Sequence, residues 1–275
     1  MESIRTWFKS GLPWVWLNAA AVSVSILLVV GLLGLIAVRG LVHVWPAPVY
    51  EIYYQNLDGG REVFAGQVRD RERVQASRLI ESGIELDPSV ESVERLLLKT
   101  GNRDLTGEDF RWVLAPRIEQ QNKSLSLVAL EREEWGVFFG RVIGLKREGE
   151  LLESRNVWDD FQIALARTGD IRDQIHELEK GAIGSVNYRL ERLRLAERKL
   201  ELKGEDDPSA FVSIEQDRAS LQTEYQELEQ ELLALYEAIG RDTVIMQTVA
   251  GEDVEISLNT IIDAWMPNSM NVLQK

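Results

Sequence analysis

The chain has 275 residues, with 31 Lys and Arg against 45 Asp and Glu and a formal net charge of −14 at neutral pH. The part beyond residue 39 is the more acidic, and such a surface repels polyanions, which argues against nucleic acid and anionic lipid headgroups as its partners. It contains no cysteine, which removes disulfides, thiolate metal sites and a cysteine nucleophile while leaving the compartment open.

The first element is a stretch without a charge from Ser10 to Val38. A helix rising ~1.5 Å per residue crosses ~30 Å of hydrocarbon with about 20 apolar residues, so the spacing predicts a transmembrane helix over 14–39. Trp7, Trp14 and Trp16 before the run and Trp45 after it fit the two interfacial belts. Arg5 and Lys9 lie on the N-terminal side, which places residues 1–13 in the cytoplasm and the bulk of the chain outside, although Arg39 sits on the opposite flank. A cleaved signal peptide is the competing reading. The run is longer than a usual apolar signal segment, and Ala19-Ala20-Ala21 lies too early in it for a cleavage site.

Residues 40–150 read as a β-rich first part of an external domain. Val49 to Tyr54 and Glu62 to Val68 flank the Asp58-Gly59-Gly60 turn and predict a hairpin. Pro88 to Lys99 reads as a short helix, with Asp87 as N-cap, Pro88 at its first position and Gly101 past its end. Strands are expected at Phe110 to Leu114, Leu125 to Leu130 and Trp135 to Leu145.

From 151 to 240 the period becomes helical. Phe211, Ile214, Arg218, Leu221, Tyr225, Leu228, Leu232, Leu235 and Ile239 form a heptad seam whose one polar member is Arg218. Its mate runs from Ile171 through Ile175, Leu178, Ala182, Val186, Leu190 and Leu193 to Leu200, interrupted by Glu197. Gly204 to Pro208 suits a C-cap, an N-cap at Asp207 and a first-turn proline, which predicts an antiparallel coiled-coil hairpin with arms at about 170–203 and 208–240. Steps of four from Leu178 to Leu190 break the 3-4 alternation, and Gly181 and Gly184 weaken the helix there. Near Gly181 the sequence therefore allows either a weak point or bend, or a packing site where small residues admit a neighbour.

Residues 241–275 return to strand. Thr243 to Val249 and Asp253 to Leu258 form a closing hairpin about Ala250-Gly251-Glu252, and Asn259 to Met266 reads as a short helix stopped by Pro267. The fold class is α+β: one N-terminal transmembrane helix, a β-rich external domain and an inserted antiparallel helical hairpin.

No catalytic, cofactor-binding or metal-binding constellation stands out, and no substrate-binding residue can be assigned. His43 sits beside the apolar run and His176 among Gln174, Glu177 and Glu179, neither with a nucleophile or second ligand at workable spacing. Glu205-Asp206-Asp207 lacks an EF-hand pattern and suits a solvated turn. Gly59-Gly60 and the glycines at 136, 140 and 144 precede no Lys-Ser/Thr pair, so they do not form a phosphate loop. An anchor followed by β structure with an inserted hairpin fits a membrane-fusion adaptor of an efflux system, yet the paired lipoyl-like half-motifs of such adaptors are not found.

Three strings carry a family resemblance: Gly11 to Ala19 (GLPWVWLNA) with Ala37 to Leu41 and Trp45-Pro46, Glu179 to Arg194 (EKGAIGSVNYRLERLR), and Asp263 to Met270 (DAWMPNSM). Together they resemble the N-terminus and large periplasmic domain of PstA-type phosphate ABC transporter permeases. The resemblance implies the inner membrane of a bacterium, a non-catalytic positioning or regulatory role, and as partners membrane lipid, the partner permease subunit, the ATPase subunit and the periplasmic phosphate-binding protein. It also implies that Asp263 to Met270 leads back towards the membrane. Family members continue with several more spans, so this chain reads as the N-terminal piece of such a permease, without its pore or its coupling segment. A single-span periplasmic scaffold that uses the hairpin as a docking arm is the alternative.

Overall fold

The computed structural model describes residue 7 and residues 10–44, 46–87, 89–203 and 208–270. Arg5, Lys9, Trp45, Pro88, the side chain of His43 and the Gly204–Asp207 turn lie outside the described residues. The chain divides into one unit holding residues 1–47 and a second spanning Pro48–Asn271.

The first unit contains α1, Leu12–Val44. Its segment Pro13–Gly40 is long and apolar enough to cross a membrane, and none of it is buried against protein. Trp14 and Trp16 are exposed near its start. The hydroxyls of Ser23 and Ser25 donate to the carbonyls of Ala19 and Ala21, so neither needs a partner from outside the helix.

The second unit is built on two antiparallel sheets. The first contains β1 (Tyr50–Gln55), β2 (Arg61–Gln75), β3 (Ser92–Lys99), β4 (Phe110–Leu114) and β5 (Ile118–Asn122), in the order β4-β3-β2-β1-β5. The β1–β2 turn closes as its residues dictate, with Gly59 at φ +85° and the Gly60 amide donating to Asp58 Oδ1 at 3.0 Å. Ile52, Tyr54, Leu96, Leu98 and Val113 form one buried cluster of this sheet.

The helix expected over Pro88–Lys99 is instead the strand β3. Asp87 does cap, but it caps a turn: its Oδ1 accepts from the amide and the hydroxyl of Ser89. Beyond that turn β3 pairs with β2 on one side and β4 on the other, burying Val93, Leu96 and Leu98. Arg95 and Glu94 meet Glu72 and Arg71 across the ladder. Long-range pairing overrides a weak local helix signal. In β4 the buried side chains are Val113 and Leu114, while Phe110 and Trp112 are exposed, with the Arg95 guanidinium over the Trp112 ring at 4.3 Å.

The second sheet has six strands: β6 (Val128–Arg132), β7 (Val137–Arg147), β8 (Glu150–Leu151), β9 (Asp242–Gln247), β10 (Asp253–Ser257) and β11 (Ile261–Trp265). The main order is β10-β9-β7-β6-β11, with β8 on β7. The closing hairpin β9–β10 lies where the alternation places it. The helix expected over Asn259–Met266 is a 3-10 turn, Leu258–Thr260, followed by β11, because Ile261 and Ala264 go into the core and the strand pairs with β6. Two short helices complete the β part: α2, Ala76–Glu81, and α3, Arg103–Thr106.

Asn102 fastens the segment after β3 to β7. Its side chain accepts from the Phe139 amide at 2.6 Å and donates to the Phe139 carbonyl at 3.0 Å. Gly101 makes that approach feasible: at φ +60°, a Cβ there would lie 2.5 Å from the Val137 carbonyl oxygen.

Between β8 and β9 the chain leaves the sheet as helix α4 (Val157–Glu177, 21 residues), a π-helical turn (Leu178–Ile183, 6 residues) and α5 (Gly184–Lys203, 20 residues). It returns as α6, Pro208–Ile239, of 32 residues. At ~1.5 Å per residue α6 is about 48 Å long.

Candidate functional site

The inserted helices are rooted in the second sheet by both apolar and charged contacts. Phe161, Ala164 and Leu165 of α4 enter the main core with Phe138, Leu145 and Met246. Further along, Ile171 and Ile175 pack with Ile239 at the end of α6. Arg172 donates to the carbonyls of Asn259 and Ile261 at 2.9 and 3.0 Å, tying α4 to the turn before β11.

Asp242, the first residue of β9, is fully buried at this root. Arg147, Arg167 and Arg241 reach its two oxygens at 3.1–3.2 Å, and Arg167 also donates to the Ala238 carbonyl. Burial pushes the carboxyl pKa upward, and the hydrogen bonds from Arg241 and Arg147 outweigh that, so Asp242 is held below the usual carboxylate value. This is a fully paired buried carboxylate, suited to holding the root and not to proton transfer.

Outward from the root, each seam position read from the sequence is buried or half-buried on its own helix. The two polar members, Glu197 and Arg218, meet each other at 2.5 Å, and Arg218 also contacts Glu215 at 2.8 Å. Arg189 pairs with Glu224. Residue 189 opposite 224 and 197 opposite 218 fixes an antiparallel arrangement of α5 and α6. At the π-turn, the Tyr236 hydroxyl donates to Glu179 Oε1 at 2.6 Å, and that bond with some burial raises the phenol pKa above its ordinary value.

Two open grooves flank this helical pair. One, of about 410 Å³, is lined by Arg189, Leu193, Asp217, Leu221 and Glu224 among others. The other, of about 440 Å³, is lined by Asn187, Leu190, Gln222, Tyr225, Gln226 and Glu229. Ser220 lines the first groove on the same helix as Asp217 and Glu224, and no hydrogen bond between its hydroxyl and either carboxylate is seen among the described residues; the mixed polar and apolar side chains of both grooves suit contact with another polypeptide.

Of the residues weighed from the sequence for chemistry, His176 is exposed on α4. Among the described residues no group of three or more His, Asp or Glu could hold a metal ion. The glycines at 136, 140 and 144 lie in the β6–β7 turn and in β7. At Gly140 a Cβ would come within 2.7 Å of the Gln247 carbonyl oxygen, so its role is close strand packing.

The residue that sequence reasoning passed over is Asn268, buried near the end of the second unit. Its Oδ1 accepts from the Val49 amide at 3.1 Å, and its Nδ2 donates to the carbonyls of Val49 and Ser124 at 2.7 Å each. One side chain thus holds the first strand-forming segment of the unit against its last. The sole signal in the sequence is a polar residue following the apolar Trp265-Met266-Pro267, which does not by itself point to a clamp.

No protein-family model matches the chain, and no curated protein and no solved structure resembles it to a significant degree.

Proposed function

We propose that the chain is the N-terminal part of an inner-membrane permease subunit of a phosphate ABC importer, and that residues 48–270 form its non-catalytic external domain. The observation that carries this reading is the resemblance of Gly11 to Ala19, Glu179 to Arg194 and Asp263 to Met270 to that family, and the Asn268 clamp agrees with a domain set between two membrane segments because it holds residues 49 and 268 side by side. A further feature supports it: an N-terminal helix long and apolar enough to span a bilayer, with Asp263 to Met270 resembling the segment that leads such permeases back to the membrane.

In this reading α1 is the first span, with the N-terminus cytoplasmic, and the inserted hairpin positions the phosphate-binding protein or the partner permease subunit. A non-catalytic role agrees with an external unit whose buried charges are spent on structure, such as Asp242 with its arginines and Arg132, which pairs with Asp104 at the surface. The test is phosphate uptake in cells whose gene lacks Leu190 to Tyr225 in frame. The expected result is reduced uptake, with the altered protein still in the membrane at normal abundance. Uptake equal to wild type, with undisturbed docking of the binding protein, would sink the proposed role.

A further inference from the structure

We propose that the chain associates with a second copy of itself through the outward faces of its helical pair, α5 of one copy lying along α6 of the next. The two helices are opposite in charge. α5 carries six basic side chains against the acidic Glu191, Glu197 and Glu201, whereas α6 carries seven acidic side chains against the single Arg218. An exposed helix with twice as many basic as acidic side chains stands apart in a chain of net charge −14. Among the ion pairs of the described residues, Arg189–Glu224 joins the helices in this sense and Glu197–Arg218 in the reverse sense, while Arg194 and Arg198 turn back to Glu191 and Glu201 of α5 itself. Among the described residues neither Arg192 nor Lys199 lies within ion-pairing distance of a carboxylate.

Each helix also carries a second apolar stripe, turned away from the seam. On α5 it is Tyr188, Leu195 and Leu202, exposed by 65%, 54% and 74% and seven residues apart. On α6 it is Val212, Ala219 and Leu233, with Gln226 completing the seven-residue spacing and Val212 and Leu233 exposed by 56% and 63%. A seven-residue repeat on the solvent side of a helix is the pattern by which another helix is received.

The levels agree as well. The pairs 189 with 224 and 197 with 218 fix which residues of α5 and α6 stand at the same height. On that scale Leu202 is level with Val212, Leu195 with Ala219 and Tyr188 with Gln226. Two copies side by side in the same direction, with no shift along the helices, therefore bring α5 of one antiparallel to α6 of the other with the stripes in register. Arg198 and Lys199 then lie near the level of the neighbour's Glu215. The contact is heterologous, so copies continue into a ring or a row.

The absence of native cysteine makes the test direct. Two differently tagged full-length copies are co-expressed, one carrying Leu195→Cys and the other Ala219→Cys, and mildly oxidised in the membrane. The expected product is a disulfide-linked dimer containing both tags. It should fall roughly tenfold or more when Leu202→Glu is added to the first copy, and weaken as salt is raised from about 0.1 to 1 M. Leu195→Cys paired with itself, and Ala219→Cys with itself, should give no dimer. The proposal is overturned if the mixed dimer is missing although both variants keep the parent's circular dichroism and melting temperature. It is equally overturned if Leu195→Cys is trapped by its own kind or by a different acidic protein, or becomes shielded by lipid vesicles instead of by a second copy.

Discussion

Asn268 satisfies three backbone groups with one side chain in a buried position, so its removal leaves the Val49 amide and the Val49 and Ser124 carbonyls without partners. Unpaired buried groups cost about 1–3 kcal/mol each, with partial relief by water, so Asn268→Leu is expected to destabilise the second unit by roughly 2–4 kcal/mol in urea denaturation. Unchanged stability would show that the clamp contributes nothing. Asp242 gives a pH signature. Its folded pKa lies below the usual 3.8, so its contribution is complete above about pH 4, near the unfolded value, and is lost as pH falls through the folded pKa. The variant Asp242→Asn should be less stable at pH 7, and the gap to wild type should narrow in melting curves recorded near or below pH 3. A gap that widens in acid would contradict this assignment of sign.

At the scale of elements, the π-turn is where the sequence and the structure explain one another. The consecutive steps of four from Leu178 to Leu190 would carry the apolar stripe away from α6, and a wider turn at Leu178–Ile183 keeps Ile175 and Val186 both buried. A Cβ at Gly181 would have nothing within 4 Å, so the glycine serves no close packing there. Gly181→Ala should therefore raise stability by up to about 1 kcal/mol without a clash, measured by denaturation. A loss of stability would revive the packing explanation. Reversing Glu197→Arg or Arg218→Glu alone should cost about 1 kcal/mol, and the double reversal should recover most of it, the coupling being read from a double-mutant cycle. The helical seams were legible because a 3-4 spacing sustained over several turns has no competing explanation. β3 was not, since Val93, Leu96 and Leu98 fit a helix or a strand alike and only pairing with the flanking strands β2 and β4, which no pattern within residues 88–99 reveals, decides between them. β11 was hidden because its pairing partner β6 is remote in the chain, Ile261 lying opposite Arg132. Asn268 was illegible because its three partners are as remote as Val49 and Ser124.

At the scale of the whole molecule, the second unit joins two antiparallel sheets to a long helical insertion, its first and last segments pinned together by Asn268. An apolar helix precedes it, and the proposed permease architecture requires a second membrane attachment beyond it. The measurement that tests this most directly uses the stretch 46–48 between α1 and β1, which is neither helix nor strand. A specific protease site is inserted there in the chromosomal gene, spheroplasts are treated with the protease, and the membranes are washed with carbonate. The account predicts that the cleaved external unit stays with the membrane pellet, held by its other end. Its release into the soluble fraction would contradict a domain set between two spans and would leave a one-span scaffold as the better description.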